Sequence, residues 1–148
     1  MKDIGIKSRL RVREHGEVLT PDWLVKDMCD TIPEEFWNRL DATFLEPSCG
    51  TGNFLVEILK RKLKLCKTGD DGSQSGSSIY GVDLLPDNVV ETKDRMYKLL
   101  EESRIPFNEK EVTIILNLNV QQGNMLTGKK ANGNPIQFVR WEKEKSED

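Results

Sequence analysis

Thr43-Phe-Leu-Glu-Pro-Ser-Cys-Gly-Thr-Gly-Asn-Phe-Leu55 decides how the rest of the chain is read. Thr43 to Leu45 is a short apolar run of the kind that forms a buried strand. Glu46 and Pro47 close it. A tight turn follows, with glycines at Gly50 and Gly52. From Asn53 the spacing turns helical, with Leu55, Ile58 and Leu59 on one side. Strand, glycine turn and helix form the opening half of a βαβ unit. Glycine lets a ligand approach the backbone of such a turn, and the helix start aims N–H groups at it.

Outward from that turn the chain alternates. Thr20, Pro21 and Asp22 suit a helix start as N-cap, N1 and first-turn acid, ahead of an apolar face of Leu24, Val25, Met28 and Cys29. Glu34 to Leu40 reads as a second short helix. The helix after the glycine turn runs to about Cys66. Thr68 to Ser78 is rich in glycine and serine and reads as a flexible loop of little functional weight. Ile79 to Asp83 is a second strand ending on an acid, and Pro86 opens a helix to about Ser103. Thr113 to Val120 reads as a third strand, because Ile114, Leu116, Leu118 and Val120 alternate. Ile136 to Trp141 is a last strand candidate. This order predicts an α/β class: a Rossmann-like domain over 16–141 with an incomplete, mostly parallel sheet and ligands at the strands' carboxyl ends.

Composition narrows the class. One domain fits 148 residues, a length that buries roughly 70% of the unfolded surface without a staple. A net charge of -3 argues against a bulk polyanion binder. The first fifteen residues are locally basic, and Arg9, Arg11 and Arg13 alternate with Leu10 and Val12. That arm is either packed by its apolar residues with solvated arginines or held against phosphates, which makes it the one candidate for contact with DNA. The last seven residues, 142–148, form a charged tail. Cys29, Cys49 and Cys66 are odd in number and widely spaced, which speaks against zinc and disulfides and for a reducing cytoplasm. No apolar run approaches membrane-spanning length, and no metal or membrane partner is expected. His15 is the one histidine.

Three strand ends describe a binding slot. The glycine turn follows the first. Asp83 ends the second, where a carboxylate suits a pair of ribose hydroxyls. Gly123-Asn124 follows the third, where an amide that donates and accepts suits an adenine edge. A dinucleotide fingerprint needs G-x-G-x-x-G, but Leu55 stands at its third glycine. A nucleoside without a pyrophosphate does not need that glycine.

These residues resemble the S-adenosylmethionine-dependent N6-adenine DNA methyltransferases of restriction–modification systems. Glu46-Pro-Ser-Cys-Gly-Thr-Gly-Asn-Phe-Leu55 is similar to that family's cofactor motif almost letter for letter. Gly16-Glu-Val-Leu-Thr-Pro21 resembles its upstream motif, Tyr80-Gly-Val-Asp-Leu-Leu-Pro86 its ribose motif, and Gly123-Asn-Met-Leu126 its adenine-edge motif, usually written with Asp where Asn124 stands. The resemblance implies S-adenosyl-L-methionine as cofactor. It implies that Glu46 and the turn, with Ser48, Gly50, Gly52, Asn53 and Phe54, face the methionine moiety, and that Thr20 covers that end. Asp83 would take the ribose hydroxyls, Leu84 would flank the adenine, and Asn124 with Met125 would meet its amino edge.

The family pattern then stops. Its catalytic motif is Asp, Asn or Ser followed by Pro-Pro and an aromatic residue that stacks on a flipped base. This chain has no Pro-Pro, and Asn134-Pro-Ile-Gln-Phe138 is the nearest string, so no catalytic residue is identifiable. A half-wound sheet also leaves a strand edge to be covered by Ile136 to Trp141, by a second copy, or by another chain. Two functions follow. One is a partial or split methyltransferase that works with a second chain carrying the target-base site. The other is a catalytically silent module that binds a nucleoside or a protein and modulates restriction–modification.

Overall fold

The computed structural model describes residues 20–66 and 71–141. The basic arm with Arg9, Arg11 and Arg13, residues 16–19 of the upstream motif, and the tail at 142–148 lie outside the described residues. The elements are α1 (Asp22–Asp30), α2 (Glu34–Trp37), β1 (Phe44–Glu46), α3 (Asn53–Leu63), α4 (Asp71–Ser77), β2 (Ile79–Asp83), α5 (Pro86–Ser103), α6 (Glu109–Asn119) and β3 (Val120–Gln122). The three strands form a parallel sheet in the order β1-β2-β3. Phe44 stands beside Ile79, and Glu46 beside Gly81; Gly81 in turn pairs with Val120, and Asp83 with Gln122. The protein is therefore α/β with a small three-stranded parallel sheet, an arrangement consistent with a Rossmann-like fold.

Leu55 and Leu59 of α3, Val89 and Met96 of α5, and Ile79 of β2 share one buried cluster. Helices α3 and α5 thus cover the same face, as right-handed crossovers along this strand order require. Pro86 opens α5, where a missing N–H costs nothing, and Lys60, Arg61 and Lys62 end α3, where cations suit the carbonyl end.

The missing third glycine has a structural counterpart. Leu55 is fully buried and lies over Gly81 of β2, where an added Cβ would come within 2.5 Å of Leu55 Cδ1 and 3.2 Å of Cys49 Cβ. Room for close helix–sheet packing is supplied by the strand instead of the helix.

Four sequence expectations are corrected. Thr113 to Asn119 is helix, and only Val120–Gln122 is strand. Asn108 caps the helix by accepting from the Glu111 N–H (3.0 Å), and Val112, Ile115, Leu116 and Asn119 are buried at helical spacing. Ile114 and Leu118, which created the apparent alternation, are exposed. Within the presumed flexible loop at 68–78, Asp71–Ser77 is helix α4. Its small residues permit close packing: a Cβ on Gly72 would lie 2.8 Å from the Pro106 carbonyl, and Ser75 is fully buried with its hydroxyl donating to Gly72 O (2.6 Å). Ile136 to Trp141 is extended but joins no strand ladder. It lies on the face away from α3, with Phe138 edge-on to Tyr80 and the Tyr80 hydroxyl donating to Val139 O (2.6 Å). Finally, Pro21, not Thr20, is the N-cap of α1, and no side chain caps that helix.

Lys62 ties α3 to the approach of β1. It is 1% exposed, and its ammonium donates to Leu40 O (2.8 Å) and Ala42 O (2.7 Å) while lying 5.1 Å from the Phe44 ring centre. Burial pushes its pKa down to about 8. Phe44 stacks on Trp37 at 4.9 Å, and Arg61 covers the Trp37 ring at 4.8 Å.

Two measurements follow. Gly81→Ala should destabilise the chain by about 1–3 kcal/mol through overpacking. In a Leu55→Ala background the same change should cost clearly less, and strict additivity in urea unfolding would show that the two do not compete for space. For Lys62, the folded value near 8 lies below the ordinary 10.5, so between those pH values the unfolded chain holds more protons and stability rises with pH. The stability difference between wild type and Lys62→Met should therefore grow from pH 8 to 10.5 and be flat below 8. A difference independent of pH throughout would show an ammonium that is not desolvated.

Candidate functional site

The site is built at the carboxyl ends of the strands. Glu46 ends β1, and the Ser48 N–H donates back to its Oε1 (3.1 Å). Burial raises the Glu46 pKa, and the Ser48 bond opposes that rise. The Cys49 N–H extends the ladder by donating to Val82 O (2.8 Å). The Cys49 thiol is buried and pushed up to about 12, first by desolvation and then by the neighbouring Asp83 charge. It is a packing group, with no thiolate at neutral pH.

Gly50 and Gly52 both take positive φ, 56° and 95°, the region that favours glycine. A Cβ on Gly52 would also lie 2.9 Å from Thr92 Cγ2. The carbonyls of this turn face α5: Gly50 O accepts from Thr92 Oγ1 (3.1 Å), and Thr51 O accepts from Arg95 Nη1 (2.7 Å). Asn53, the first residue of α3, accepts from the same Arg95 nitrogen at Oδ1 (2.8 Å) and donates from Nδ2 to Thr20 O (2.6 Å).

Asp83 is the hub. It is 7% exposed. Its Oδ1 accepts from the Gly50 N–H (3.0 Å), and its Oδ2 accepts from the Leu85 N–H and from Asn88 Nδ2 (3.0 Å each). Its carbonyl accepts from the Gly123 N–H (2.9 Å). One carboxylate thus ties the glycine turn to the start of α5, and its own backbone ties both to the end of β3. A carboxylate offers about four lone-pair positions, so three donors leave one. Leu84 beside it is 44% exposed, and its carbonyl accepts from Gln122 Nε2 (3.0 Å). Asn124 closes a turn by accepting from the Leu126 N–H at Oδ1 (2.8 Å), and its Nδ2 has no hydrogen-bond partner among the described residues. The Thr20 hydroxyl likewise bonds to no described residue.

Hydrogen bonds therefore bring Thr20, Gly50, Asn53, Asp83 and Gly123-Asn124 to one end of the sheet. Glu46 and Ser48 stand at the same strand end. Phe54 instead packs partly on the core, and Met125 is half-buried. The sequence reading missed Asn88, Thr92 and Arg95. They sit on α5 at spacings of four and three, one face of a helix, and hold the site from behind. Asn88 and Thr92 are fully buried polar residues, and polar positions on the inward face of an amphipathic helix were the available signal. A hollow of about 330 Å³, lined by Thr43, Leu45, Tyr80, Phe138, Val139 and Arg140, shares no residue with this site. It lies under the extended segment on the sheet's other face.

Among the described residues no His, Cys, Asp or Glu group is placed to hold a metal ion, and no helix is long and apolar enough to cross a membrane. Over 71 residues, 48% of its length, the chain is 35% identical to the type II methyltransferase M.VspI of Vibrio sp. (strain 343). The match spans 14% of that protein. No family model matches the chain, and no solved structure matches it significantly. The similarity is to a methyltransferase, over a small part of it.

Asp83→Ala would strip an acceptor from the Gly50 and Leu85 amides and from Asn88, all at buried or half-buried positions. Bonds to a charged acceptor contribute about 1.5–3 kcal/mol each, so a loss of at least about 3 kcal/mol is expected in denaturant unfolding. Asp83→Asn, which keeps one oxygen, should fall between. A change below about 1 kcal/mol for Asp83→Ala would show that the hub does not hold the turn.

Proposed function

We propose that the chain binds S-adenosyl-L-methionine and is the cofactor-binding part of an N6-adenine DNA methyltransferase. The observation that carries this reading is the convergence on Asp83 of the glycine turn and the third strand end, in the order the motif resemblance requires. The similarity to a type II methyltransferase supports the same class.

The residues present fit the cofactor's chemistry. Among the described residues, one lone-pair position on Asp83, the Asn124 amide N–H groups and the Thr20 hydroxyl are without a hydrogen-bond partner. An acceptor at the second strand suits a ribose hydroxyl, and donors at the third suit the N1 acceptor of adenine. Leu84 supplies exposed apolar surface between them. Glu46, Ser48, Gly50, Gly52 and Asn53 line the turn at the end assigned to the methionine moiety. Bound there, the cofactor would supply a methyl group activated on a sulfonium. The chain's own part is to orient it: α5 holds the Gly50 and Thr51 carbonyls, the Ser48, Cys49, Gly50 and Gly52 amides are engaged by Glu46, Val82, Asp83 and Cys49, and the Asp83 carboxylate fixes the turn against the start of α5.

Presenting a target base is assigned to another part of the enzyme. Asn134, in the string nearest the catalytic motif, donates from its N–H to Asn132 Oδ1 (3.0 Å) and accepts from the Lys130 N–H (2.8 Å). Pro135 bridges Lys129. This is a turn closed on itself, which supports a second methyltransferase chain or segment, or a second copy, as the source of the base site. The same turn favours the second reading, a module that binds the nucleoside without turnover. DNA contact by Arg9, Arg11 and Arg13 and a cytoplasmic location belong to this proposal; the free thiols Cys29, Cys49 and Cys66 suit a reducing compartment.

Calorimetric titration with S-adenosylmethionine and S-adenosylhomocysteine tests the reading directly. Saturable one-to-one binding is expected. Methyl transfer to adenine-containing DNA should then appear when a polypeptide with the Pro-Pro motif is added. Absence of binding to both ligands would remove the cofactor site, and binding without transfer in any pairing would select the silent module.

A further inference from the structure

Arg95 is half-buried and makes no ion pair with a described carboxylate. Both of its contacts come from one nitrogen, Nη1, and both go to oxygens of the glycine-turn region: Thr51 O and Asn53 Oδ1. A guanidinium has donors only. The side-chain oxygen of Asn53 must therefore face Arg95, and the amide NH2 must face the other way. That other way is Thr20 O, 2.6 Å off. The orientation of a freely rotatable amide is thus dictated from α5, and its consequence is felt at the segment preceding α1. Helix α1 has no side-chain cap, and the amides of its third and fourth residues, Leu24 and Val25, both donate to Pro21 O. Near its start, where Val25 packs into the core, the Asn53 bond ties the segment at Thr20 to the turn at the sheet end.

We propose that Arg95 is a positioning residue: by fixing the Asn53 amide it fastens Thr20 to the glycine turn and so presets the amino-acid end of the nucleoside site. The assignment of that end rests on the proposed cofactor reading; the relay from Arg95 to Thr20 does not. Arg95 touches no ligand in this scheme. It acts by holding Thr51 O and Asn53 Oδ1 toward α5, which aims Asn53 Nδ2 at Thr20 O.

Asn53→Asp separates the relay from simple packing. The aspartate still accepts from Arg95, but it sets an acceptor against Thr20 O in place of a donor. Hydrogen exchange on the full-length, ligand-free chain is the first readout. Both Asn53→Asp and Arg95→Met should speed exchange at the Leu24 and Val25 amides by about tenfold or more. Only Arg95→Met should also do so at Gly52. Unchanged protection at Leu24 and Val25 in Asn53→Asp overturns the relay, and this variant decides the matter even if Arg95→Met does not fold. The second readout is calorimetry with two probes, S-adenosylhomocysteine and adenosine, which lacks the amino-acid end. Arg95→Met should weaken the first by about tenfold, the scale of one hydrogen bond, and the second by much less. Equal weakening would show a merely structural role and overturn the assignment to that end. If wild type binds neither probe, the cofactor reading fails while the exchange result still decides the relay.

Discussion

A single buried carboxylate carries the arrangement at the top of the sheet. A charge 7% exposed survives there because three N–H groups converge on it, and bonds to charged acceptors are about twice as strong as neutral ones. Each donor comes from a different place: the glycine turn, the backbone entering α5 and the first turn of α5. Three short strands could slide against one another with little penalty, since only a few ladder bonds fix each pair. Asp83 removes that freedom, because its side chain holds the turn after β1 and its carbonyl holds Gly123 after β3. Helix α5 completes the frame by occupying the turn's carbonyls with Thr92 and Arg95.

The same economy appears beneath the turn. A nucleotide-binding βαβ unit needs its first helix close to the sheet, and the usual device is a glycine on the helix. Here the helix keeps Leu55 and the strand gives way at Gly81. Leu55 thereby contributes a full side chain to the core, where it meets Ile79, Val89 and Met96, and burial of that kind is worth about 1.5–3 kcal/mol. A motif written along one segment hides this exchange, because its compensating residue is twenty-six positions away.

That is also the pattern in what the sequence made legible. The glycine turn, β2 and α5 could be read because each carries a local signal: paired glycines, a short apolar run ending on an acid, a proline followed by helical spacing. Residues 113–120 were misread because Ile114, Leu116, Leu118 and Val120 satisfy a strand period while Val112, Ile115, Leu116 and Asn119 satisfy a helical one. The tie is broken by the Asn108 cap, which was visible, and by burial against α4, which was not. Helix α4 itself defied its composition. Glycine and serine suggest a loop, but between α3 and α6 their small size is what allows a helix to fit. At the candidate site, the strand-end groups that the sequence singles out lie together, and the supporting face of α5 was not legible, since Asn88, Thr92 and Arg95 have meaning only once α5 lies against the turn.

The two faces of the sheet are held by different means, and this bears on what the chain does. One face is sealed by helices through apolar contact. The other is crossed by residues 136–141, attached by Phe138 edge-on to Tyr80, by Ile136 over Gly123, and by polar bonds of Tyr80 to Val139 O, Gln121 Nε2 to Gln137 O and Trp141 Nε1 to Asn119 Oδ1. Under it lies the hollow with Leu45 half-exposed, and among the described residues the outer edge of β1 has no partner. The candidate site draws on neither of these features. Its groups come from the strand ends, α5 and the segment at Thr20: α5 holds Gly50, Asn53 and Asp83, while Gly123 lies against Ile136 and the Asn124 N–H donates to Lys129 O. On the proposed reading, the surface that must receive a target base is built against the sheet's open side.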